Sequence, residues 1–363
     1  MNKEFSELIR SLRLVMVMGL VFVHFGNFPG EDLDPFTGVV NATYPFASSF
    51  NSFFTYFFLC SVPVLSLISG YLYCYQGEPS FLKSLKKKSK TLVLPTITWT
   101  SLWLLVAFTL YSIGKSSNQF TYYDQGFSDY SLLDLLNGII GVTETPFAFQ
   151  FWFIHDLVLS ILITPLVIPI IKRFGLIIVL IPFTLWILEI EPIAFFNYKV
   201  VAFFNIGIYL GLNKFKPELP TTLWKYNLTI PIFITLVLVR IYVPAFNEGV
   251  MPLDTVFELF LRLMGSVAIV TLVLNLRVYC KTIYQFLVNR SGYAFFLHAF
   301  HFPLVIIIKQ VLSMTNLFNG EAGLIILWIF TIILTILSSM ITANILNKFI
   351  PPLYKFLNGQ RSI

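Results

Sequence analysis

The sequence predicts an all-α integral membrane protein of about ten transmembrane helices, with both termini cytoplasmic. Three observations predict it. Only 12% of the 363 residues are charged and 57% are apolar, against about 25% charged in a soluble domain, so the chain has too little charge to cover a surface in water. The apolar residues come in runs that approach or exceed the roughly 20 helical residues a bilayer core requires. The basic residues alternate between the two sides of those runs, as positive-inside topology demands. The net charge of +6 is therefore read through topology. The lipid bilayer is the expected partner, and no nucleic acid is expected.

The apolar segments lie near 10–28, 52–75, 91–113, 148–171, 174–190, 198–213, 227–244, 254–275, 291–313 and 322–346. The first follows Arg10 and Arg13 as the core of a signal peptide would. Gly26-Asn27-Phe28-Pro29 offers no small-x-small cleavage site, so it is expected as a mature helix. Residues 131–142 are too short to span and read as an interfacial or re-entrant half-helix. The loops 29–51 and 114–147, rich in Asn, Ser, Thr, Asp and aromatics, suit a carbohydrate-like ligand or are ordinary solvated loops.

With the N-terminus inside, the cytoplasmic segments hold Lys3, Arg10 and Arg13, then five lysines between Lys83 and Lys90, then Lys172 and Arg173. Lys214, Lys216 and Lys225, Arg277, Lys281 and Arg290, and Lys348, Lys355 and Arg361 follow. Lys115, Lys199, Arg240 and Lys309 are assigned outside, together with most of the acidic residues. One helix too many or too few would scramble this alternation downstream. Cys60, Cys74 and Cys280, an odd count without paired spacing, read as free thiols.

Ionisable groups inside a bilayer are costly and face protein or cavity, so they carry the functional information. All four histidines, His24, His155, His298 and His301, fall in predicted helices. Arg13 and His24 are eleven positions apart, which is three turns, so they share one face about 16 Å apart along the axis. That arrangement suits a donor whose anionic part stays at the cytoplasmic mouth while its reactive end reaches inward. A snorkelling arginine and a packed histidine give the same spacing. Lys86, Lys87 and Lys90 belong to the densest charge cluster of the chain, either a topology anchor or a cradle for donor phosphates. Phe151-Trp152-Phe153-Ile154-His155-Asp156 is an aromatic belt with a structural His–Asp contact, or supplies a group that orients His24. Glu258 and Arg262, at i and i+4, read as a mutually neutralising pair. His298 and His301 share a face, but no Cys or acidic residue nearby completes a metal site.

Taken together, these residues resemble the membrane-bound acyltransferase-3 family, ten-helix O-acyltransferases of surface polysaccharides and lipopolysaccharide. The resemblance lies in Arg13 and His24 with ten residues between them, Ser69-Gly70-Tyr71, Lys87-x-x-Lys90 before Leu94-Pro95, the Phe-Trp-Phe at 151–153 and the Tyr293…His301 stretch. It departs where the family's basic pair, usually arginine, is lysine here, which loses bidentate phosphate geometry. It departs again where His155-Asp156 stands in place of a glutamate. The resemblance implies a transmembrane domain over 1–350 with a short cytoplasmic tail at 351–363, in a bacterial inner membrane. It implies acyl-CoA, most simply acetyl-CoA, as co-substrate without a bound cofactor, and a cell-surface glycan as acceptor. Lys86, Lys87, Lys90 and Arg13 would hold the donor. His24 would be general base or transient acyl carrier, oriented by Asp156 or His155. Ser69, Tyr71, Trp152, Tyr293, His298 and His301 would line the pocket. A transporter or flippase of lipid-linked glycan is the alternative, although the paired repeats such proteins often show are not visible.

Overall fold

Helix is the only regular structure among the described residues, as expected of a chain whose backbone polar groups must be satisfied without water. The computed structural model describes residues 3–30, 34–36, 39, 42–75, 80–112, 131–141, 146–190, 197–215, 224–243 and 253–361. Most of the 114–147 loop, and with it Lys115, and parts of the 29–51 loop lie outside the described residues.

The helices are α1 (Lys3–Val23), α2 (Pro45–Phe57), α3 (Ser61–Cys74), α4 (Phe81–Lys88) and α5 (Leu94–Ser112). There follow α6 (Leu132–Ile140), α7 (Trp152–Leu162), α8 (Thr164–Phe174), α9 (Leu180–Ile187), α10 (Tyr198–Leu212) and α11 (Trp224–Asn227). The chain continues with α12 (Thr229–Tyr242), α13 (Leu253–Tyr279), α14 (Lys281–Asn289), α15 (Ala294–Ser313), α16 (Gly320–Phe349) and α17 (Pro351–Leu357).

Among the described residues, six stretches are long and apolar enough to cross a membrane: Pro45–Cys74, Phe81–Thr109, Thr164–Ile187, Leu253–Tyr279, Ser291–Ser313 and Gly320–Phe349. Shorter apolar helices cover 149–162, 198–212 and 229–242. Helix α1 has 21 residues but carries Glu4, Glu7, Arg10 and Arg13. Each of the ten apolar segments read from the sequence falls on helix, with shifted ends. The first begins at Lys3 rather than near residue 10. It stops at Val23 because Gly26, with φ +69°, turns the chain out of the helix. Within 164–187 the helix is interrupted at Gly175 (φ 64°, ψ −144°), directly after Lys172 and Arg173. Residues 132–140 form the expected short helix, closed by a Ser131–Asp134 capping box and by Gly141 at φ 75°. The Ser131 hydroxyl and N–H hold the Asp134 carboxyl below its usual range.

The chain divides into two compact units, residues 1–65 with 216–341 and residues 66–215 with 342–362. In the first unit, α1 is buried on most of its circumference, from Leu8 to Val21. It packs against α2, α13, α14 and α15. Phe233, Val237, Ile241, Leu261, Ala268 and Tyr56 form a core between α2, α12 and α13. Phe22, Phe25, Phe50 and Phe54 surround Trp328, whose Nε1 donates to Asn51 Oδ1 at 2.9 Å.

In the second unit, α3 and α10 cross backbone to backbone. A Cβ on Gly70 would strike the Phe204 carbonyl oxygen, one on Gly207 the Leu67 carbonyl oxygen, and one on Gly211 would stand 2.6 Å from the Tyr71 carbonyl oxygen. Gly207-x-x-x-Gly211 is thus a small-residue stripe that lets two apolar helices approach without a hydrophobic driving force between them. Residues 351–361 are held to this unit. Tyr354 and Asn358 are fully buried, and Trp99 Nε1 donates to the Leu357 carbonyl at 3.0 Å. Cys60 and Cys74 are buried free thiols, and Cys280 is an exposed one.

Candidate active site

Three of the four histidines meet in the first unit. His24 directly follows α1, its N–H still bonded to the Leu20 carbonyl at 3.0 Å. His298 and His301 sit on the first half of α15. That helix is broken immediately afterwards: Phe302 is non-helical at φ −115°, ψ 131°. The sequence contains the reason, since the residue before a proline is pushed out of the α region and Pro303 has no N–H to continue the ladder. A continuous helix over 291–313 is therefore too simple, as are those over 52–75 and 148–171, which divide at 58–60 and at Ile163.

The break leaves α15 carbonyls for side chains to use. His301 Nδ1 lies 2.8 Å from the His298 carbonyl oxygen and 3.1 Å from that of Leu297. A carbonyl only accepts, so Nδ1 bears the hydrogen, and in the neutral ring Nε2 bears the lone pair. His24 Nδ1 stands 2.8 Å from that Nε2 and therefore donates to it. The two ring planes differ by 4° and their centres are 5.0 Å apart. Parallel rings with nitrogens that close and centres that far apart lie edge to edge in one plane, which points the N–H along the partner's lone pair. The proton bookkeeping then places the remaining lone pair of neutral His24 on Nε2. This chain of donation, from His24 to His301 to the backbone carbonyls, gives the second nitrogen of His24 a defined direction.

At Nδ1 the partner of His24 is the His301 imidazole, whereas Asp156 and His155, the expected orienting groups, belong to the second unit. Asp156, fully buried in the second unit, accepts from the adjacent His155 Nδ1 at 3.0 Å and from the Asn197 N–H at 3.0 Å. Asn197 is the N-cap of α10, so this carboxylate sits where the helix dipole favours an anion. His155 and Asp156 are neighbours on α7 that do touch, despite a 100° step around the helix.

Arg13 makes no hydrogen bond or ion pair among the described residues. Two buried arginines of the first unit are neutralised. Arg240 pairs with Asp254 at 3.1 Å. Arg262 pairs with Glu258, as their spacing predicts, and Nη1 donates to the Leu59 carbonyl at 2.9 Å. Arg13 alone of these three is half-buried without an acid.

Lys86, Lys87 and Lys90 are exposed and form no ion pair among the described residues. Lys87 ends near the close of α4, and Lys90 lies in a π-helical turn over Ser89–Val93. Pro95 accounts for that turn. It cannot donate to Thr91 four residues back and would collide with its carbonyl, so the ladder widens, with the Leu94 N–H reaching the Ser89 carbonyl. The displaced Thr91 carbonyl is approached by Arg361 Nη1 at 3.5 Å. The sequence signal was available in Leu94-Pro95, but the pairing with the far C-terminus was not. Turns of this widened type recur at functional sites.

Of the expected pocket residues, Tyr293 is buried and its hydroxyl lies 3.2 Å from Arg290 Nη1. His298 is buried beside His301, ring centres 5.8 Å apart. Tyr71 donates its hydroxyl to the Phe215 carbonyl at 2.8 Å. Ser69 on α3 and Trp152 on α7 are half-buried. Among the described residues no three His, Cys, Asp or Glu side chains gather as metal ligands would.

An imidazole held by a second imidazole and, among the described residues, a cation with no acid beside it thus belong to one stretch of chain, α1 and the residue after it. Residues 8–344 match the family pattern described as an acyltransferase domain. The chain belongs to acyltransferase family 3. This acyltransferase is 26% identical over 371 residues to the succinoglycan biosynthesis protein ExoH of Rhizobium meliloti (strain 1021), covering 100% of this chain and 94% of that protein. No solved structure matches it. Membership, together with helices able to cross a membrane, makes the chain a membrane acyltransferase.

Proposed function

We propose that this acyltransferase moves an acyl group, most simply acetyl, from cytoplasmic acyl-CoA to a hydroxyl of a cell-surface or lipid-linked polysaccharide. The single observation that carries the reading is the His24–His301 hydrogen bond, 2.8 Å long and in plane, because it leaves His24 Nε2 as a directed base. In the reaction Nε2 takes the proton of the sugar hydroxyl while that oxygen attacks the thioester carbonyl carbon. The carbon–sulfur bond breaks, and the departing thiolate regains the proton from Nε2. Ester and free CoA are the products. As His24 becomes an imidazolium its Nδ1–H stays pointed at a neutral acceptor, the role a carboxylate plays in a serine-hydrolase triad.

The donor's phosphates are assigned to Arg13, with Lys86, Lys87 and Lys90 as the outer cationic approach. A half-buried guanidinium without an acid favours an anion. In this reading the chain has ten spans with both ends in the cytoplasm of a bacterial inner membrane, and the glycan comes from the opposite face. The similarity to a protein of succinoglycan biosynthesis supports a glycan acceptor.

The test is CoA release by the purified protein in nanodiscs, with acetyl-CoA and succinyl-CoA compared, with and without surface glycan. His24→Ala should abolish release and the O-acyl content of the glycan while leaving membrane insertion intact. Full activity in that variant overturns the reading.

A further inference from the structure

Lys309 lies inside α15, six residues beyond Pro303, where an uncompensated ammonium is expensive. By sequence it counts among the outer topology charges; in the structure its ammonium is held by backbone carbonyls. Nζ donates to the Phe25 carbonyl at 2.7 Å and to the Asn27 carbonyl at 2.8 Å, and stands 4.8 Å from the centre of the Phe25 ring. The carbonyl between those two, Gly26, accepts from Asn51 Nδ2 at 2.8 Å. Asn51 is itself fixed by the Trp328 indole N–H. Three consecutive carbonyls directly after His24 are therefore each held by a side chain. No acid pairs with Lys309 among the described residues.

We propose that Lys309 is a positioning residue for His24. The end of a helix leaves its last carbonyls open and frays easily, and His24 directly follows the end of α1. Helix α15 grips it twice. Before the break His301 holds the imidazole, and after the break Lys309 holds the backbone that carries it. The ring hydrogen bond fixes the direction of the ring, and the ammonium fixes where the ring is. A shift of about 1 Å in a reacting group costs as much as about a hundredfold in rate. The inference rests on His24 being the base.

Lys309→Met removes both donors and keeps the length of the stem. The expected result is a fall in kcat of about tenfold to a hundredfold, with KM for acyl-CoA unchanged and normal yield of folded protein. Lys309→Arg, which still offers two N–H groups, should recover most of the loss. A merely structural lysine would lower the folded yield and leave the kcat of the folded fraction alone. Gly26→Ala tests the clamp from the backbone side if Lys309→Met does not fold. Its Cβ meets nothing closer than Lys309 Nζ at 3.8 Å, but the φ of +69° becomes strained. It too should lower kcat at constant KM. Wild-type kcat in Lys309→Met, or in Gly26→Ala where only that variant folds, overturns the clamp if His24→Ala is inactive. Activity in His24→Ala overturns instead the reading on which it rests.

Discussion

The Nδ1–H of His24 points at Nε2 of His301 across 2.8 Å, with the two rings in one plane. The bond joins residues 277 positions apart in sequence, and in the proposed mechanism it gives His301 the role of orienting the base. His301→Phe keeps a flat ring and removes the acceptor. Its kcat should fall by about a hundredfold or more, since misorienting a catalytic imidazole costs up to about 10⁴. His301→Gln, whose carbonyl oxygen can accept from Nδ1, should lose less. Steady-state CoA release at saturating donor measures both.

Arg13 separates two readings that the sequence left open, a topology anchor and a donor contact. Arg13→Met should raise KM for acyl-CoA and change kcat little, because the charge contacts the part of the donor that does not react. An acyl thioester of pantetheine, which lacks the nucleotide phosphates, should be used equally by Arg13→Met and wild type. Equal KM for acyl-CoA in both proteins would remove Arg13 from the donor site.

Gly70 and Gly207 bring α3 and α10 into backbone contact. Either changed to alanine should prevent folding of the second unit, because the atoms a new Cβ meets are carbonyls that cannot swing away. Yield of monodisperse protein after detergent extraction checks it. Normal yield from Gly70→Ala would show that the helices separate freely. This packing also gives Gly70 of the Ser-Gly-Tyr stretch a structural reason.

Arg262 and Glu258 make a stability prediction. Arg262→Met strands the carboxylate and should destabilise the first unit by about 3 kcal/mol, the lower end for a broken buried pair because Glu258 retains a quarter of its side chain in contact with solvent. Replacing both residues with apolar ones should recover much of that. Thermal melting in detergent measures the difference.

Much was legible before any coordinates. Arg13 and His24 share a face because eleven residues are three turns, a consequence of helix geometry alone. Glu258 and Arg262 pair for the same reason. The short helix at 132–140 and the interruption after Arg173 were visible in length and charge. The break after His301 was written in Phe302-Pro303 but passed over, because a proline in a long apolar run does not say whether it bends the helix or opens it. Nothing local could have shown that Thr91 faces Arg361, that Gly70 faces Gly207, or that Lys309 reaches the carbonyls beyond His24.

The sequence by itself determined the medium, the helices and the side chains that a bilayer would make costly, because hydrophobicity, charge and periodicity are properties of near neighbours along the chain. Tertiary structure alone decided which of those costly groups satisfy one another. His24 found an imidazole rather than a carboxylate because α1 and the first half of α15 run together and end side by side, and hydrogen bonds of 2.8 Å depend on helix placement finer than any residue pattern encodes.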